Sequence, residues 1–210
     1  MTGVIRDVPY RAQWESPDLI ADILAGTVRA GDDPLWSRSG ARDPREYEFW
    51  SWRACGMACL KMALSHWTGR DRPLVVLAKE AMAHGAYVVR EDSVQGLIYE
   101  PFTRYVAERF GLAARSRPEL ELDEITELVE GGALVMASVH ASVRWPDSEP
   151  PVPPGTGGHL VLVVGHTGDE IVIHNPSGDR AHNQSFARIR RADFARFYGG
   201  RGVTLGPYRR

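Results

Sequence analysis

The stretch WRACGMACLKMALSHWTG, Trp52 to Gly69, decides how the rest of the chain is read. Cys59, Met62, Ala63 and His66 recur at helical spacing on one face, while Leu60, Leu64 and Trp67 line a second. This predicts a helix that begins at Cys55, is buried on two sides and is stopped by TGRDRP. Both cysteines of the chain then fall within about one turn, the first at the helix N-terminus and directly ahead of Gly56. One helix holds such a pair awkwardly for a mutual disulfide, so they read as free thiols.

Downstream, PLVVLAKEAMAHG, GLIYEPFTRYVAERFGL and LELDEITELVEGG read as three more helices, closed by Gly85, Gly111 and Gly131. The pattern then changes. ALVMASVHA and HLVLVVGH are short apolar runs rich in valine, and EIVIHN alternates after a turn at Thr167, Gly168 and Asp169. Helices first and antiparallel strands later predict an α+β domain with segregated layers. Upstream, Val8 to Tyr10 looks like a strand. Residues 16–48 read as loops (AGDDP, SRSG, ARDPRE) around at most one short helix, SPDLIADILAG, with Ser16 as its N-cap and Pro17 in its first turn. A length of 210 residues favours a single domain, 1–210, with 16–48 as an inserted elaboration.

A net charge of −2 argues against a protein built to coat nucleic acid or an anionic membrane. The basic C-terminal residues Arg188, Arg190, Arg191, Arg196, Arg201, Arg209 and Arg210 read as a solvated face and a frayed tail. No run approaches the ~20 apolar residues of a membrane span, and MTGVIRDVPYRAQW lacks the apolar core of a secretory signal, so a cytoplasmic location is expected. Oligomeric state stays open.

A thiol acts as a nucleophile in its thiolate form, which a helix N-terminus favours; Cys55 is predicted there, with Gly56 leaving room for a substrate carbonyl. Cys59, one turn deeper, reads as a core residue. A nucleophile needs a base and a group to orient it. If VLVVGH and EIVIHN form a hairpin, His159 falls within one or two positions of Asn175, where side chains approach to ~4.5 to 5.5 Å. Of the remaining histidines, His66 lies at the wrong end of its helix, and His84, His166 and His182 read as surface residues. His174 points to the other sheet face, and His140 stays open as a rival base. The Cys55 N–H is a natural donor to an oxyanion. Trp145 with Pro146 to Pro154, or Trp50 and Trp52, are candidates for a lip over a cleft. Two cysteines without zinc-type spacing call for no metal, and no cofactor is expected.

CGMACLKMALSHWTG resembles the nucleophile helix of the bacteriocin-processing, double-glycine leader cysteine peptidases and their stand-alone relatives in the papain-like superfamily. GGHLVLVVGHTGDEIVIHNPSG is similar to that family's second block, a histidine opening one strand and an acidic or amide residue before proline closing the next. VPYRAQW resembles the opening block of the stand-alone branch. The resemblance implies a papain-like fold, nucleophile Cys55, base His159, orienter Asn175 and oxyanion donor Gln13, which from spacing alone is an ordinary loop residue. It departs in carrying Asn175 where aspartate is frequent, and in the long interval between Gln13 and Cys55; the transporter-fused branch has its glutamine at the position of Phe49. The expected activity is cleavage of a peptide or other amide through an acyl-enzyme. The alternatives are a related acyltransferase or transpeptidase with an amine acceptor, and a catalytically silent module binding a peptide or small molecule.

Overall fold

The chain starts on the sheet, builds a helical half, and returns to the sheet to finish. A computed structural model describes residues 3–91, 93–149 and 157–208. After β1 (Val4–Ile5), a single turn of 3₁₀ helix leads into α1 (Ile20–Ala25), which Gly26 closes in the left-handed conformation. Then follow α2 (Pro44–Ser51), α3 (Cys55–Thr68), α4 (Leu74–Ala83), the small hairpin β2 (Val88–Arg90) and β3 (Ser93–Gln95), and α5 (Tyr99–Phe110). The second half runs β4 (Leu112–Arg117), α6 (Leu122–Glu130), β5 (Leu134–Val139), β6 (His159–Thr167), β7 (Glu170–His174), α7 (Ala181–Gln184), β8 (Ala187–Arg190), α8 (Arg191–Ala195) and β9 (Tyr198–Tyr208).

The helix predicted from Cys55 is α3, buried from Gly56 to Ser65 and capped by Gly69. It lies against β6 and β5. The strands pair antiparallel in the order β4-β9-β5-β6-β7-β8, with β1 on β6. Alternate residues divide between two cores. Met136, Leu160, Leu162, Val164 and Val203 join the helical half, while Val135, Ala137, Val161, Val163 and Ile173 pack under Ile125, Val129, Phe194 and Phe197. Burial on both faces is why these strands read as unbroken apolar runs. It also corrects the expectation of segregated layers, because α6 and α8 cover the face away from α3.

Three further expectations change. Val8 to Tyr10 is not a strand: the chain leaves β6 after the Arg6 N–H bonds Val164 O at 2.9 Å, and the Val8 carbonyl accepts instead from His174 Nε2 at 2.7 Å. Residues 16–48 hold more order than loops around one helix. Asp43 caps α2 by accepting from the Glu46 N–H at 2.8 Å, with Pro44 at its first position. The carboxylate of Asp33, fully buried, accepts from the Ser16 N–H (3.0 Å), Ser16 Oγ (2.6 Å), Leu35 N–H (2.9 Å) and Tyr47 Oη (2.6 Å), binding the segment to α2. Finally, the expected frayed tail is β9, threaded between β4 and β5. Arg209 and Arg210 lie outside the described residues.

Candidate active site

Cys55 opens α3 without a side-chain cap, so the first N–H groups of the helix are available around its sulfur. Residue 160 of β6 touches both cysteines: its N–H reaches the Cys55 sulfur, as do those of Gly56 and Cys55 itself, and its carbonyl lies 3.7 Å from Cys59 Sγ. Cys59 is buried in the core, as expected. Gly56 does not open space for a substrate. A Cβ there would stand 2.8 Å from Leu97 Cδ2 and 3.1 Å from Leu160 Cδ1, so the missing side chain lets α3 seat against the sheet.

His159, the first residue of β6, follows two glycines with φ of +76° and +95°, a backbone that other residues rarely adopt. In the β6–β7 hairpin Leu162 pairs with His174, which leaves His159 and Asn175 close to one another beyond the last paired residues. His159 Nε2 is 2.8 Å from Asn175 Oδ1. The Ser177 N–H also donates to that oxygen at 3.1 Å, which fixes the amide orientation. An acceptor at Nε2 requires the proton there and leaves Nδ1 as the basic nitrogen. Ser177 Oγ lies 3.1 Å from His159 Nε2 and receives Arg144 Nη2 at 2.6 Å, while Arg144 Nε donates to Ser177 O at 3.1 Å. A buried guanidinium therefore sits behind the imidazole.

Gln13 is buried. Its backbone N–H donates to Pro176 O at 2.9 Å and its Nε2 to Ser51 O at 2.8 Å, so the folded insertion returns it beside the turn that leads into α3. It is not among the residues lining the cavity, and Oε1 has no partner among the described residues. Phe49 stacks under Arg53.

The rival histidines are engaged elsewhere. His140 Nδ1 bonds Ser142 Oγ at 2.7 Å, and His66 Nδ1 bonds Asp7 O at 2.9 Å. His84 and His182 are exposed. His174 is fully buried, accepting from the Phe186 N–H at 3.0 Å through Nδ1. His166, expected at the surface, is buried and bonds Glu130 Oε1 at 3.0 Å, because β1 covers that end of β6.

Cys55 and His159 line one cavity of about 620 Å³, together with Trp52, Tyr87, Leu97, Tyr99, Ser138 and Arg201 among others. Trp52, half-exposed, takes the expected lip position; Trp50 is buried, and Trp145 lies away from this cavity. Pro150 to Pro154 are outside the described residues. Burial pushes the Cys55 thiol up, outweighing the N–H groups of Leu160, Gly56 and Cys55 that favour thiolate. This reverses the depression expected from the helix N-terminus alone: removing a small anion from water costs more than three N–H dipoles return. Burial also depresses His159 to about 4; the Asn175 hydrogen bond opposes this, and Arg144 and His140 reinforce it. Thiol and imidazole therefore rest neutral.

A family model described as "Peptidase_C39 like family" matches residues 5–203. The chain belongs to this family. Its α+β arrangement is the papain-like fold. Among solved structures, a C39-like peptidase from Bacillus anthracis has 14% identity over 75% of this chain and 90% of its own, with a TM-score of 0.51. The peptidase domain of Streptococcus ComA, a bi-functional ABC transporter involved in a quorum sensing pathway, has 16% identity over 74% and 92%, at 0.49. A double glycine motif protease from an AMS/PCAT transporter, solved with the leader peptide, has 19% over 73% and 84%, at 0.47. No curated protein matches the sequence at a significant level. Membership supports a cysteine peptidase-like function, and no helix among the described residues is long and apolar enough to cross a membrane.

Reading the sequence of this C39-like chain missed Ser177, Arg144 and Arg201. Asn-Pro-Ser-Gly carries one usable signal, since an Asn side chain often accepts the N–H two residues on, which would have placed Ser177. Arg144 and Arg201 gave none: their surroundings are made by long-range pairing.

Proposed function

We propose that the chain is a cysteine peptidase that cleaves a peptide bond with Cys55 as nucleophile, His159 as general base, Asn175 as orienter, and the Cys55 N–H with Gln13 as oxyanion donors. The observation that carries this reading is the His159 Nε2 to Asn175 Oδ1 bond of 2.8 Å, made by an imidazole that shares a cavity wall with Cys55. The bond leaves Nδ1 unprotonated. As the sulfur attacks the carbonyl, Nδ1 takes the thiol proton, and the resulting imidazolium is held by Asn175. The carbonyl oxygen becomes an oxyanion and accepts from the Cys55 N–H and from the Gln13 Nε2 hydrogen that Ser51 does not use. Collapse passes the proton from Nδ1 to the leaving amine, and water then releases the acyl group by the same steps in reverse order.

Two neutral partners at rest imply a base-assisted attack, with the proton moving as the carbon–sulfur bond forms. The direct test is intact-mass detection after treating the native protein with iodoacetamide or a peptide electrophile. One adduct on Cys55, absent in Cys55→Ala, is expected. Labelling of buried Cys59, or of neither cysteine, overturns the mechanism.

A further inference from the structure

Among the described residues that line the cavity, cationic side chains outnumber anionic ones. The sequence has a net charge of −2, yet two guanidiniums, Arg53 and Arg201, line the cavity against one carboxylate, Glu100, among the described residues. Glu100 lies exposed in the first turn of α5, and Arg53 is drawn over the Phe49 ring with Nη1 donating to Phe49 O at 2.7 Å.

Arg201 sits where the register of β9 against β5 shifts, between the pairs Ala137 with Gly202 and Val139 with Tyr198. The Tyr99 hydroxyl is within hydrogen-bonding reach of both the Arg201 guanidinium and the Ser138 hydroxyl. Arg201 Nη2 and Ser138 Oγ stand 2.8 and 2.6 Å from where a Cβ on Gly157 would be, two residues ahead of His159. A guanidinium, a phenol and a hydroxyl therefore gather on the wall beside the proposed base. All three can donate hydrogens, and a planar guanidinium flanked by hydroxyl donors matches a carboxylate.

We infer that Arg201, Tyr99 and Ser138 form a subsite that reads a carboxylate on the substrate, from an acidic side chain or a free peptide C-terminus close to the bond that Cys55 attacks. The inference rests on the peptidase reading above, and its test separates the two.

Chloroacetyl peptides are prepared with the carboxylate one, two or three residues from the electrophilic carbon. One series compares Asp with Asn under an amidated terminus; another compares free with amidated termini. The readout is the rate of Cys55 alkylation, expressed within each protein as the ratio of acid to amide. In the wild type the ratio should reach about tenfold at one spacing or more, the scale of a charge-assisted hydrogen bond in a partly desolvated site. It should fall toward unity in Arg201→Gln and persist in part in Arg201→Lys. The series that carries the preference identifies the source of the carboxylate. A wild-type ratio near unity at every spacing in both series overturns the subsite, as does a preference undiminished in Arg201→Gln. If that variant fails to fold, the wild-type ratio and Arg201→Lys decide. Alkylation of Cys55 by the neutral peptides without acid preference removes the subsite alone, whereas failure of every electrophile at Cys55 removes the peptidase reading and the subsite with it.

Discussion

Asn175 presents a neutral amide to His159, and a buried guanidinium stands behind the pair. Burial and the guanidinium disfavour an imidazolium at rest, and the amide's hydrogen bond opposes them without prevailing. In Asn175→Asp a carboxylate would stabilise the protonated ring, so the folded pKa of His159 rises and the acid limb of kcat/KM should move up from about 4. Arg144→Met should move it the same way by removing a nearby positive charge, and a pH-rate profile measures both. Gln13 can be separated from the nucleophile by choice of reaction. Alkylation by iodoacetamide forms no oxyanion, so Gln13→Ala should lower kcat for a peptide by about 100-fold while changing the iodoacetamide rate little. Because burial raises the Cys55 thiol, that rate should climb through neutral into alkaline pH rather than level off in acid.

At the scale of elements, the inserted segment is organised by one carboxylate. Hydrogen bonds from Ser16, Tyr47 and Leu35 hold Asp33 below the usual carboxylate range although burial opposes them. Asp33→Ala would strand four donors, and a loss of roughly 3 kcal/mol is expected, read as a lower urea midpoint. None of this was legible beforehand. The α3, α4, α5 and α6 helices were, because a buried stripe of period near 3.6 closed by glycine is a local property of the chain. So was the β6–β7 hairpin, and with it the meeting of His159 and Asn175. The segment around Asp33 and the strand β9 take their order from distant partners: Ser16 finds Asp33 across a loop, and Tyr198–Tyr208 is held between two strands from earlier in the chain. The arginines recurring from Arg188 to Arg210 read as a tail, whereas the glycines of β9 suit a strand whose Gly202 must pass Met136 O closely.

For the whole molecule, acid should be felt before neutral pH is far behind. The folded value of His159, about 4, lies below its ordinary 6.5, so the unfolded chain binds the proton first. Stability present above pH ~6.5 is lost as pH falls toward about 4, on the order of 3 kcal/mol from this residue. His174, also depressed by burial, adds in the same direction. Urea midpoints between pH 7 and pH 4.5 should fall along this slope, less steeply in His159→Gln. Gln13 gives the two halves of the protein a shared gauge. One bond ties it to Pro176 on the strand side and another to Ser51 on the helix side. Any warming that parts those walls by the length of a hydrogen bond would break one of the two ties, and on the proposed chemistry turnover would be silenced while every helix and strand is still in place. Thermal inactivation should therefore run several degrees ahead of melting followed by circular dichroism, where a donor fastened to a single wall would let the two curves coincide.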